Sequence, residues 1–78
     1  MKLSDAIRLR IKHYLKLNDT NLWGIYKSTG IPMSTICAFM RGDRELLTLK
    51  TLLHLCEGFN ITLKQFFDDP MFDNVEQE

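Results

Sequence analysis

The sequence holds no apolar run near the ~20 residues that a membrane-spanning helix requires. Its opening, MKLSDAIRLR, places charges every few residues where a signal peptide needs an uninterrupted apolar stretch. The cytoplasm is therefore the expected location. Cysteine is scarce: Cys37 and Cys56 are the only two, each inside an apolar-periodic segment, and such thiols stay reduced in the cytosol. With His13 and His54 they offer none of the short spacings that let metal ligands converge, so no metal centre is expected. A phosphate-cradling glycine loop, a clustered carboxylate pair and a nucleophile beside a base are also missing, which argues against an enzyme. His54 and Cys56 lie two residues apart and do not face each other on a helix. No alternating strand pattern, internal repeat, low-complexity tract, cofactor motif or small-molecule site is evident.

What is present suffices for one small domain. The chain has 78 residues, 45% of them hydrophobic, with five Phe and one Trp to fill a core. The net charge of zero conceals a division. Residues 1–67 carry all ten Lys and Arg against five acids, a net +5, whereas residues 68–78 carry five acids and no base. A basic body with an acidic tail is a pattern of interaction with a partner. The expected division is a domain over 1–69 and a tail over 70–78.

Helical periodicity runs through the body. Ser4 is a candidate cap for a helix to about Leu17, with Leu3, Ile7, Ile11, Tyr14 and Leu15 on one stripe. Arg8, Lys12 and Lys16 recur on another side and read as a solvated row. After the polar turn at 18–21, a short helix from Leu22 to Thr29 is expected to turn Leu22, Ile25 and Tyr26 inward, with Trp23 partly buried. Gly30 ends it, and Pro32 precedes a third helix from about Met33 to Met40 that stops at Gly42. Thr48 caps a fourth helix with Leu49, Leu52, Leu53 and Cys56 on one face, ending near Gly58. Thr62 and Gln65 form a capping box, with Ile61 and Phe66 as its apolar staple, for a fifth helix to about Phe67; Pro70 bars its extension. Met71 and Phe72, an apolar pair in an acidic tail, are expected to dock on the body or on a second copy.

The corner STGIPMSTICAFMRG is the informative stretch. Two short helices joined by a tight turn containing Gly make a helix-turn-helix. Counted from Leu22, residues Ile25, Ile31, Ile36 and Phe39 occupy positions four, ten, fifteen and eighteen, where the motif needs apolar side chains, and Gly30 occupies position nine, where it needs a left-handed backbone.

On GIPMSTICAFMRG and TLKTLLHLCEGFNITLKQFF, the sequence resembles the Cro and phage-repressor (XRE-like) family of helix-turn-helix DNA-binding domains over about residues 4–67. The resemblance implies an all-α, compact five-helix lambda-repressor-like domain that binds operator DNA, commonly as a homodimer, and regulates transcription. It implies that the helix over 33–40 enters the major groove, with Met33, Ser34, Cys37 and Ala38 at base edges. It further implies that Lys27, Thr35, Arg41 and Arg44 meet phosphates. Three positions depart from the family pattern. Leu22 stands where a phosphate-binding Gln is frequent, Tyr26 where a small Ala is usual, and the reading face lacks Arg, Asn and Gln. The alternative is a helix-turn-helix kept for protein contact, an antitoxin-like or anti-repressor module that does not read DNA itself.

Overall fold

The computed structural model describes residues 1–43 and 46–76. It is an all-α fold of five helices: α1 Leu3–Leu17, α2 Leu22–Thr29, α3 Met33–Arg41, α4 Leu49–Phe59 and α5 Leu63–Phe67, followed by a 3-10 turn over Pro70–Phe72. Among the described residues there is no strand, only an isolated parallel bridge between Lys2 and Glu76. No described helix is long and apolar enough to cross a membrane.

The stripe expected on α1 lies inward: Ile7, Ile11 and Tyr14 are buried and Leu3 and Leu15 pack against them. The expected cap does not hold. Lys2 occupies the N-cap position and Ser4 is buried inside the first turn. The returning tail explains the shift, because the Glu76 amide donates to the Met1 carbonyl at 2.9 Å and holds the chain extended immediately before the helix.

Arg8 and Arg10 are the larger surprises on α1. The row Arg8, Lys12, Lys16 is solvated only at its two lysines; Arg8 is partly buried and turned toward α3. Arg10 is buried, with Nε donating to the Phe66 carbonyl at 2.7 Å and Nη2 to the carbonyls of Gln65 at 2.9 Å and Asp68 at 3.2 Å. These are carbonyls at the C-terminal end of α5, which a helix leaves without intrahelical donors. One guanidinium thus caps α5 and stacks over the Tyr14 ring, 4.8 Å from its centre. Arg10 was legible in principle, since it lies three residues after Ile7 and four before Tyr14, within the apolar stripe.

The fourth helix is rotated from the expected orientation. Its buried face is Leu52, Leu55, Cys56 and Phe59, while Leu49 is 74% and Leu53 43% exposed. Phe59 decides the matter by stacking on Tyr14, with ring centres 5.6 Å apart. The helix ends at Phe59, next to Gly58 as expected, but the left-handed residue that follows it is Asn60, at φ 60°, and not the glycine. Gly58 instead permits close approach to α2, because a Cβ there would collide with the Thr29 methyl.

The Thr62–Gln65 capping box forms as expected, and Phe66 is fully buried. The tail docks on the body. Phe72 packs edge-on against Phe67, ring centres 5.0 Å apart, and Asp69 pairs with Arg10 at 3.5 Å.

Candidate nucleic-acid interface

The corner is built from local bonds before any long-range contact is needed. The Asn21 side chain accepts from the Gly24 amide at 2.9 Å and starts α2. Gly30 ends it in the left-handed conformation at φ 75°, its amide donating to the Tyr26 carbonyl at 2.8 Å. A side chain at that φ is strained, so Gly is the residue the turn favours. The Thr29 hydroxyl donates to the Ile25 carbonyl at 2.7 Å and accepts from the Ile31 amide at 3.2 Å, which closes the turn. Pro32 then takes the N-cap place of α3, its carbonyl accepting from the Thr35 and Ile36 amides.

All four apolar positions of the motif are buried: Ile25, Ile31, Ile36 and Phe39. They seat α2 and α3 on one core with α1, α4 and α5. Burial of that face of α3 leaves the opposite face outward. Ser34 and Arg41 are exposed there, and Met33, Thr35, Cys37 and Ala38 are half-buried. The six residues expected on α3 therefore share a helix only nine residues long, and none of them is fully buried. Arg44 lies outside the described residues.

Arg41 is bonded locally, with Nε donating to Asp43 Oδ2 at 3.1 Å while both side chains stand in solvent. An exposed pair of this kind contributes little stability, so the guanidinium can exchange the carboxylate for another anion. Lys27 is exposed on α2, its ammonium 6.0 Å from the centre of the Trp23 ring.

Two expectations on α2 are corrected. Tyr26 does not turn inward: it is 38% exposed and its ring lies beside Trp23, centres 5.3 Å apart. Trp23 is itself 55% exposed, more open than the partial burial expected. Leu22 and Ile25 already fill the inward side of this short helix, which leaves both rings on the outside. The close approach of α2 and α3 thus does not have to absorb a phenol.

The residue that the sequence did not single out is Arg8. Its Nε donates to the Phe39 carbonyl at 2.6 Å and its guanidinium lies over the Phe39 ring, 4.6 Å from the centre. It is a strut between α1 and the C-terminal turn of α3. Its cue was a position three residues before Ile11, at the edge of the apolar stripe.

Burial raises the Cys56 thiol above its ordinary value of 9.0, and the neighbouring Glu57 carboxylate adds to the effect. That cysteine is a core residue, held neutral. No group of three or more His, Cys, Asp and Glu among the described residues is placed to hold a metal ion.

No family model and no curated protein matches the sequence. The fold is similar to that in the crystal structure of the prophage Lp1 protein 11, with a TM-score of 0.83 and 21% identity, covering 96% of this chain and 100% of that one. At that identity the likeness establishes a shared all-α fold along nearly the whole chain.

Proposed function

We propose that this protein is a DNA-binding transcriptional regulator, a Cro-like repressor that acts as a homodimer on an operator. The observation that carries the reading is the mounting of α3. Its inner side is locked by Ile36, Phe39 and the Arg8 strut, while the side carrying Ser34 and Arg41 faces outward. A rigid, protruding helix with small side chains at its N-terminal end fits a major groove about 12 Å wide. Ser34 bonds a base edge, and Met33 and Ala38 touch thymine methyls. Lys27, Thr35 and Arg41 meet phosphates on either side. The surplus of base over acid in residues 1–67 supplies the long-range attraction. The similar fold of a prophage-encoded protein fits such a role. Repression is by occupancy, and the chain needs no cofactor and catalyses no reaction.

The test is selection of fragments from the source genome by purified protein at physiological salt, with Trp23 fluorescence as an independent readout of binding. Recovery of one short inverted repeat, with half-sites about one helical turn apart, together with a salt-dependent change in Trp23 emission, is the expected result. No enrichment from folded protein overturns the reading.

A second reading rests on a separate observation. The outward surface includes Trp23, Tyr26, Leu49 and Leu53 and has no Arg, Asn or Gln at the reading positions of α3. Such a surface suits protein contact, in the manner of an antitoxin or anti-repressor. A defined protein complex formed without duplex binding selects this reading.

A further inference from the structure

We propose that an open cleft between the helix corner and α4 holds a phosphate of the duplex backbone, with Lys50 and His54 as its charged and polar contacts. This rests on the DNA-binding reading and adds to it an element, α4, that the motif does not assign. The cleft has a volume of about 330 Å³ and is walled by Thr29, Pro32 and Thr35 on one side and Lys50, Thr51 and His54 on the other.

Three features select an anion. Lys50 and His54 are four residues apart on α4, hence on one face of the helix, and both line the cleft. Neither side chain makes a hydrogen bond or ion pair among the described residues, and the same holds for the Thr35 hydroxyl, although the Thr35 amide donates to Pro32. Among the described residues no carboxylate lines the cleft. The Thr29 hydroxyl already donates to the Ile25 carbonyl, whereas the Thr51 hydroxyl accepts from Thr48 and keeps its own proton, so Lys50, His54, Thr35 and Thr51 are the donors left for a ligand. The hollow on the far side of His54 differs: Glu57 lines it together with Ser28, Thr29 and Gly58, and a carboxylate there repels phosphate.

The position favours a backbone phosphate. Thr35 is one residue beyond Ser34, so it lies about 100° farther around α3, on the shoulder of the outward face. A strand bordering a groove that contains α3 passes that shoulder, where the Lys50 ammonium and the His54 N–H reach it from α4. Phosphate oxygens accept hydrogen bonds and donate none in the diester, which matches a lining of donors.

The experiment is duplex affinity, measured by anisotropy across a salt series, for the full chain and for Lys50→Gln, His54→Ala and Lys64→Gln. Lys64 is an exposed lysine outside the cleft and serves as the control. Lys50→Gln is expected to weaken binding roughly fivefold at physiological salt and to flatten the log–log salt slope by about one. His54→Ala is expected to weaken binding without flattening the slope as much, and Lys64→Gln to leave both unchanged. If the unaltered chain binds and Lys50→Gln keeps its affinity and slope, the cleft proposal fails while the DNA-binding reading stands. If the unaltered chain binds no duplex, both fail. A shift of the His54 ring resonances with inorganic phosphate would then reassign the cleft to a free phosphate ligand.

Discussion

The guanidinium of Arg8 lies over the ring of Phe39 and bonds the carbonyl of the same residue, so one side chain of α1 grips both the backbone and the side chain of α3. Arg8→Met keeps the aliphatic stem and removes both contacts. The expected cost is about 2 kcal/mol in urea unfolding, from a charged hydrogen bond and a cation–π contact together. Asp5→Asn, which breaks only the exposed end of the same chain of contacts, is expected to cost under about 1 kcal/mol. Amide exchange in the last turn of α3 should quicken in Arg8→Met before the rest of the core does.

Arg10 offers a stronger version of the same logic. Arg10→Met leaves the carbonyls of Phe66 and Asp68 without their side-chain donor and takes one donor from Gln65, which the Tyr14 hydroxyl still serves, and the loss should reach about 3 kcal/mol or more. A domain of this size has only about 4–12 kcal/mol in total. Arg10→Lys is expected to recover little, because a point ammonium cannot reproduce the fork. Asp69→Asn should cost much less than Arg10→Met, since the carbonyl bonds are the main ones. Equal losses in thermal melts of the two would overturn this ranking.

Gly58→Ala tests the approach of α4 to α2. Alanine favours a helix over glycine by up to ~1 kcal/mol. The added methyl meets the Thr29 side chain, which the corner bonds hold in place. Overpacking costs ~1–3 kcal/mol, so the variant should be less stable by about 1 kcal/mol. Gly58→Ala combined with Thr29→Ser, which removes the opposing methyl, should regain most of it. A raised melting temperature in the single variant would show that the two helices separate easily.

The two thiols should separate cleanly in a labelling experiment. Cys37 is half-buried on α3 and should alkylate in the folded protein, whereas fully buried Cys56 should react only as the chain unfolds. Bound duplex should protect Cys37 and leave the Cys56 rate tied to unfolding. The raised Cys56 pKa has a stability consequence of definite sign. The neutral thiol is favoured in the fold, so its contribution is complete below pH about 9.0 and is lost as pH rises past that value. Cys56→Ala should therefore show a flatter alkaline limb in stability against pH, alongside a general loss from the cavity.

The helices themselves were readable from caps and periodicity. Asn21, Thr48, Thr62 and Gly30 announce boundaries through bonds that are complete within four residues, so no tertiary knowledge is needed to see them. The buried set of the corner followed from spacing for the same reason. The face of α4 was not readable, because Leu49, Leu52, Leu53 and Leu55 leave two overlapping stripes at helical period. Only the seat of Phe59 on Tyr14, a contact between distant parts of the chain, chooses between them. The spacing of Arg10 from Ile7 and Tyr14 marks its burial, but the partners of Arg8 and Arg10 were not readable, because the carbonyls they meet belong to α3 and α5. Tyr26 and Trp23 were misplaced because an aromatic pattern does not say how little space a helix of eight residues leaves on its inward side.

The bond from the Glu76 amide to the Met1 carbonyl, with the Met1 amine 3.7 Å from the Glu76 carboxylate, brings residue 76 back beside residue 1. A short linker between residues 76 and 1 would therefore span almost no distance, and new ends opened in the polar turn at 18–21 would leave α2 through α5 and the clasp contiguous. Such a circular permutant keeps α3 and its mount on one unbroken segment. A linker or an affinity tag joined to Met1 turns the charged amine of the clasp into an amide, so in either case the backbone bond from Glu76 to the Met1 carbonyl is what remains of it.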